Sequence, residues 1–315
     1  MVPSRKPLIY DAVAKNKRNS ILLLFFMTLF ACGVCWFVGA YFWENGIVGL
    51  LIGFGIAAIS AFTSYYAGDS IVLSSVRAVK ASPIQYKVLH DVVDEMSIAS
   101  GLPKPTVYVF PDLAPNAFAT GRDPEHSSVA VSEGLYRQLD RAELQGVIAH
   151  EMSHIQNRDI LFVTMVSVLV GAVVIISSIY RTSLWFGGGS RRRNDKGGEL
   201  FAIIGLLLII FAPLAGRIIQ MAISRQREFL ADSSAAYMTR NPGALASALR
   251  KISMPRSKSH VSNAAVNPLF IAEPFKGVNV KELFSTHPPI EKRIEQLDKM
   301  AYSGSVLMKE ATDAN

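Results

Sequence analysis

Four uncharged apolar runs punctuate the chain: Ile21–Trp43, Ile47–Ala67, Ile160–Tyr180 and Leu200–Gly216. About 20 apolar residues of helix cross the hydrocarbon core of a bilayer. The first three runs approach or exceed that length, and the fourth, with 17 residues, sits at the lower limit. Only Glu44-Asn45-Gly46 separates the first two, so residues 21–67 read as a helical hairpin in the membrane. The first run is about twice as long as the apolar part of a secretory signal and lacks a clear cleavage site, which makes it a retained anchor.

Between the runs the pattern changes. Ile84, Val88, Val92 and Met96 recur near helical period. Ser82-Pro83-Ile84-Gln85 offers a cap, a proline at the first helical position and a capping box. A helix is therefore expected from there to about Ser100, stopped by Gly101-Leu102-Pro103. Thr106–Phe110 is β-branched and aromatic and reads as a strand. Asn116–Thr120 and Ser127–Val131 read as two more short strands, separated by a turn at Gly121-Arg122-Asp123-Pro124. Asp140-Arg141-Ala142-Glu143 is a second capping box, opening a helix with no marked break before the third apolar run. Further helices are expected over Arg225–Met238, from Asn241-Pro242 to near Ile252, and from Pro288-Pro289 to about Ala301. Residues 255–280 read as loop and the last fourteen as a frayed polar tail.

Half of the residues are hydrophobic, and the formal net charge is +7. Arg5, Lys6, Lys15, Lys17 and Arg18 precede the first run, while the turn after it carries no Lys or Arg. The excess of basic residues on cytoplasmic loops then places the N-terminus in the cytoplasm. No aromatic-interleaved groove or recognition motif supports a nucleic-acid partner. Cys32 and Cys35, the two cysteines, lie inside the first run, where a thiolate is disfavoured, so they read as packing residues. With no disulfide framework, the globular part is expected in a reducing compartment.

The candidate chemistry begins at His150-Glu151-Met152-Ser153-His154. Histidines four apart share one helical face and can converge on one ion. Glu228 and Asp232, in Glu228-Phe229-Leu230-Ala231-Asp232, are also four apart. Two histidines and a glutamate form an open catalytic zinc triad that leaves a place for water. His150, His154 and Glu228 are thus candidate ligands to one Zn2+ per chain. Glu151 is the candidate general base. Asp232 would bond the far nitrogen of a ligand histidine and fix its tautomer. His90, His126 and His260 show no partner pattern and read as solvated, and Arg293 is expected to pair with a core carboxylate.

Four groups of residues carry a family resemblance: Asn116-Ala117-Phe118-Ala119, the H-E-M-S-H group, Glu228 to Asp232, and Thr286-His287-Pro288-Pro289 with Arg293. On these the chain resembles the HtpX group of membrane-bound zinc metalloproteases, in the gluzincin clan that includes the CAAX prenyl proteases. The resemblance implies that Asn116, Ala117, Phe118 and Ala119 form an exposed edge strand aligning substrate beside the metal. It implies that His287 donates to the transition state. It also implies a quality-control endopeptidase acting on misfolded or damaged membrane proteins. The expected fold class is mainly α, of the α+β type: a gluzincin metalloprotease core with a small β-sheet, membrane-anchored by up to four transmembrane helices.

The expected organisation is a basic cytoplasmic tail (1–20), a transmembrane hairpin (21–67), a first catalytic part (68–159), a second apolar hairpin (160–216), a second catalytic part (217–302) and a flexible tail (303–315). Both ligand segments must lie on one side of the membrane, so the runs at 160–180 and 200–216 either both cross or neither does. A crossing pair exports loop 181–198 with Arg191-Arg192-Arg193, against the charge rule. The crossing hairpin is favoured because 21 uncharged residues are hard to bury otherwise, and a re-entrant pair stays open. The expected setting is the cytoplasmic face of a bacterial plasma membrane, with the lipid bilayer and unfolded or membrane proteins as partners. Two alternatives stand beside it: a processing protease for lipidated peptides, and a non-catalytic metal-stabilised membrane scaffold.

Overall fold

The computed structural model of the chain describes residues 44–168, 225–254, 269–271 and 288–313, with scattered positions between 14 and 40. Helix α1 (Gly46–Ser75) carries the second apolar run. Asn45 caps it, its Oδ1 accepting the Val48 N–H at 3.2 Å. At 30 residues it is long and apolar enough to cross a bilayer, and Leu51, Phe54, Ile59 and Phe62 point outward along it. The first run comes so close that a Cβ on Gly49 would stand 2.0 Å from the Cys35 carbonyl oxygen, an approach only glycine permits. The helix continues past Ala67 because its last turns, with Gly68, Val72 and Leu73, are buried by the globular part.

Among the described residues the strands form one sheet: β1 (Val79–Lys80), β2 (Thr106–Phe110), β3 (Ala117–Asp123) and β4 (His126–Ser132), in the order β1-β2-β4-β3. β2 and β4 are parallel, and the two outer pairs are antiparallel. Strand β2 forms where β-branched and aromatic residues predict it. β3 runs on through the predicted turn to Asp123, with an irregularity at Gly121 and Asp123, and the chain reverses at Pro124-Glu125. Gly121 takes φ +138 there, and a Cβ would meet His126 O at 2.3 Å.

The two faces of the sheet serve different neighbours. Ala117, Ala119, Val129 and Val131 join the main core with Val147, Ile148 and Met152. Phe110, Phe118 and Ala130 turn to the other side, against Val72, Leu73 and Val76 from the end of α1. The sheet therefore lies between the membrane helix and the core helix α4 (Arg141–Gln156).

Helix α2 (Lys87–Ser100) starts later than Ser82 predicts. Ser82 Oγ accepts only a long bond from the Gln85 N–H, 3.5 Å, and the Gln85 side chain turns to the Tyr86 hydroxyl instead of completing the box. The Tyr86 ring packs edge-on to Tyr136, 5.1 Å between centroids. The short α3 (Glu133–Gln138), capped by Ser132, has no counterpart in the sequence reading, and neither does β1. The capping box at Asp140 forms as predicted, with both reciprocal bonds at 2.9 Å.

The expected continuity of α4 into the third apolar run fails at Asn157-Arg158-Asp159. Arg158 has φ 53, the Arg158 N–H bonds Ile155 O at 3.1 Å, and the Asp159 N–H bonds His154 O at 3.3 Å. This pair of reverse bonds is the Schellman ending, with arginine where glycine is usual. A new helical segment starts at 160 and is described to 168. The rest of the third run, the fourth run and loop 181–198 lie outside the described residues.

Helices α5 (Arg225–Thr239) and α6 (Pro242–Ser253) follow the sequence prediction, α6 being capped by Asn241. Helix α7 (Ile290–Asp313) continues well beyond Ala301, so the expected frayed tail is helical backbone. Arg250 of α6 pairs with Asp298 of α7, fastening the two.

Candidate metal centre

Helix α4 is buried over most of its length, from Glu143 to Ile155. Helix α5 brings Glu228 and Asp232 to the face that carries His150 and His154. The Nε2 atoms of the two histidines are 3.2 Å apart. Glu228 Oε2 is 3.7 Å from His150 Nε2, and Oε1 is 3.7 Å from His154 Nε2. Ligands bonded at about 2.0–2.1 Å in tetrahedral directions stand roughly 3.3 Å apart. The three donors thus fit one small divalent ion, and they are the group of potential metal ligands among the described residues whose donor atoms all fall within 4.8 Å.

Each imidazole is backed by a carboxylate. His150 Nδ1 lies 3.0 Å from Asp232 Oδ1, as the sequence predicts for Asp232. His154 Nδ1 lies 3.0 Å from Asp159 Oδ2, a partner the sequence reading did not find. Arg293, only 1% exposed, donates to Asp232 from Nε and Nη2 at 2.8 and 2.7 Å and to Ile271 O from Nη1 at 3.1 Å. Its Nη1 also lies 3.2 Å from Glu228 Oε2. The expected core carboxylate is thus two carboxylates, one of them the candidate metal ligand.

Burial lowers the pKa of His150, the Arg293 charge adds to this, and the imidazole stays neutral. Burial would raise Asp232, but Arg293 overrides it and holds the carboxyl at about 2. Burial opposes charge on His154, yet the carboxylates of Asp159, Glu228 and Glu151 carry it up to about 10. Burial raises Glu151 to about 7 in the metal-free centre, against the opposing effect of the His154 charge and of the Ala119 backbone N–H beside the carboxylate.

These directions fix a pH dependence. The folded, metal-free chain binds protons at Glu151 and His154 more tightly than the unfolded chain and at His150 less tightly, so the His150 contribution rises with pH only toward its ordinary 6.5 and above that stability falls. The Glu151 part is lost between its ordinary value of 4.5 and about 7, and the His154 part between 6.5 and about 10. Zinc binding expels those protons, so its stabilising effect grows over the same range. The metal-free melting midpoint is expected to fall from pH 6 to pH 9 while the shift on adding zinc widens. A midpoint flat in pH for both forms would contradict this protonation scheme.

β3 is the sheet edge, but it is not exposed: Asn116, Ala117, Phe118 and Ala119 are all buried. The Ser132 N–H bonds Asn116 O at 2.9 Å, so Asn116 faces β4 and, by alternation, Ala117 and Ala119 turn their backbone groups outward. Ala117 O already accepts the Ile271 N–H at 3.1 Å, and the Ala119 N–H is the one at Glu151. The neighbouring Phe270 stacks on Phe110 and meets the Phe118 ring at a tilt, which holds this cover in place.

His90 and His126 are not simply solvated. His90 Nε2 is 3.0 Å from Ala81 O, and His126 Nδ1 is 2.7 Å from Asp123 Oδ1. His260 and His287 lie outside the described residues.

An H-E-x-x-H helix buried against a second helix that offers a carboxylate to the same point, beside a small sheet and an apolar membrane-length helix, defines a membrane metalloprotease. The chain belongs to peptidase family M48, whose sequence pattern matches residues 83–301. It is 45% identical over 300 residues to a protein named Protease HtpX homolog from Caldanaerobacter subterraneus subsp. tengcongensis, covering 94% of this chain and 99% of that one. It is 47% identical over 288 residues to the Protease HtpX homolog of Pyrococcus furiosus, covering 91% and 96%. Among solved structures it is similar to S. mikatae Ste24p, with a TM-score of 0.46 and 16% identity, over 92% of this chain and 67% of that one.

Proposed function

We propose that this peptidase is a zinc-dependent endopeptidase that cuts misfolded or damaged membrane proteins at the cytoplasmic face of the plasma membrane. The observation that carries the reading is the convergence of His150, His154 and Glu228 donor atoms beside the buried Glu151. In this reading those three residues hold the metal, one Zn2+ per chain. When bound, zinc polarises the scissile carbonyl and makes a water acidic enough to attack at neutral pH.

The chain's residues do the rest. Glu151 takes the proton of the attacking water and returns it to the departing amine. Asp232, fixed by Arg293, keeps the His150 Nδ1 proton in place and its Nε2 aimed at the ion. His287 is proposed as a donor to the developing oxyanion, in line with the family resemblance. The outward backbone of β3 at Ala119 runs past Glu151, so a substrate strand paired there would bring its peptide bond to the centre. At Ala117 the Ile271 bond limits how far such pairing extends. The exposed apolar flank of α1 keeps the centre near the bilayer, where the proposed substrates are.

The test is cleavage of unfolded casein by the full chain in detergent micelles. Activity is expected with zinc, lost to a chelator and restored by added zinc. Undiminished cleavage in the chelator, or tight zinc binding with no cleavage of any unfolded protein, would count against the proposal.

A further inference from the structure

Asp159 stands at the first position before the helical segment that starts at 160, where an aspartate ordinarily caps the helix. Its side chain is arranged otherwise. Asp159 is 2% exposed, Oδ2 is turned to His154 Nδ1 at 3.0 Å, and Oδ1 has no hydrogen-bond partner among the described residues. In an unbroken helix, residues 154 and 159 would point about 140° apart, since each step turns about 100°. The Schellman ending at Arg158 removes that separation. It folds the backbone so that the Asp159 N–H returns to His154 O, and the carboxylate follows to the imidazole of the same residue.

We infer that Asp159 is a positioning residue for the metal, orienting His154 as Asp232 orients His150. The inference rests on the proposed zinc site. Nδ1–H of His154 donates to the carboxylate, so the proton given up when a metal binds is the one on Nε2, which faces the Glu228 side of the centre. Arg227 adds positive charge near Asp159, as Arg293 does, by closer contact, at Asp232. It lies over the Phe162 ring at 5.6 Å and within electrostatic reach of Asp159. Each ligand histidine is thereby fixed by a carboxylate with an arginine near it. The second carboxylate is delivered by the junction between the catalytic helix and the third apolar run.

The test separates positioning from capping. Serine and asparagine cap helices about as well as aspartate. Serine is too short to reach the imidazole, while asparagine keeps the size and an acceptor oxygen but loses the charge. Zinc affinity of the full chain in micelles is measured by competition with a chromophoric chelator, and Co2+ is substituted to record the ligand-field spectrum. Asp159→Ser should raise the zinc dissociation constant about 10–100-fold and shift the Co2+ bands. Asp159→Asn should weaken binding by about tenfold, the lower end of that range. Folded variants that bind zinc within twofold of wild type, with unchanged Co2+ bands, would overturn the inference and leave Asp159 with no part in the metal site. If serine prevents folding, the asparagine variant alone decides in the same way. A wild-type chain that binds no zinc would overturn the metal site itself along with this inference.

Discussion

Glu151→Gln is expected to abolish peptide cleavage while zinc stays bound. The substitution keeps the size of the side chain and an oxygen that accepts the Ala119 N–H, but an amide cannot take up a proton. A positioned general base contributes roughly 10²–10⁴-fold to such a reaction, about 3–5 kcal/mol of barrier. The loss should therefore appear in turnover at saturating zinc, with one zinc still found per chain. The metal-free variant should also lose the Glu151 share of the pH dependence below pH 7, because no buried carboxyl ionises at that position. Cleavage within tenfold of wild type would remove Glu151 from the chemistry. Loss of zinc from the variant would make Glu151 part of the binding site instead.

The second large effect is expected at Arg293. Arg293→Met should destabilise the chain by about 3–5 kcal/mol, the cost of leaving a buried charge without its partner. Asp232 is 3% exposed and receives two bonds from this guanidinium. Zinc can offset the lost partner at Glu228, which faces the ion, but not at Asp232, which faces His150. The melting midpoint should thus fall sharply even with zinc in excess. Arg293→Lys keeps a charge but not the forked geometry, and should fall between the two. A methionine variant as stable as wild type would show that Asp232 finds another partner.

How far the sequence foretold the structure depends on which interactions are local. The capping box of Asp140 and Glu143 is local, and the helix it opens begins where expected. Histidines and carboxylates spaced by four declare a shared helical face, so His150, His154, Glu228 and Asp232 were identifiable and the structure brings them together. The termination at Arg158 was not, because the left-handed position is filled by arginine and neither glycine nor proline marks it. Asp159 was missed for the same reason: in a continuous helix it would face away from His154. Ser82 looked like a helix start, but the aromatic contact of Tyr86 with Tyr136, a tertiary interaction, accompanies a later one. The buried state of β3 depends on Ile271, about 150 residues away in sequence, a distance at which spacing patterns carry no information. Ser132, a good cap, was the one available signal for α3.

The bond between Ile271 and Ala117 has a consequence for solubility as well. A membrane anchor concentrates copies of a protein in two dimensions, where an open sheet border invites strand exchange between neighbours. Here one border, β1, is two residues long and carries a lysine, while the other is stitched by Ile271 and wedged by Phe270. Ile271 thus closes the Ala117 end of this border to sibling chains, and only the Ala119 end is left for the pairing proposed with a substrate.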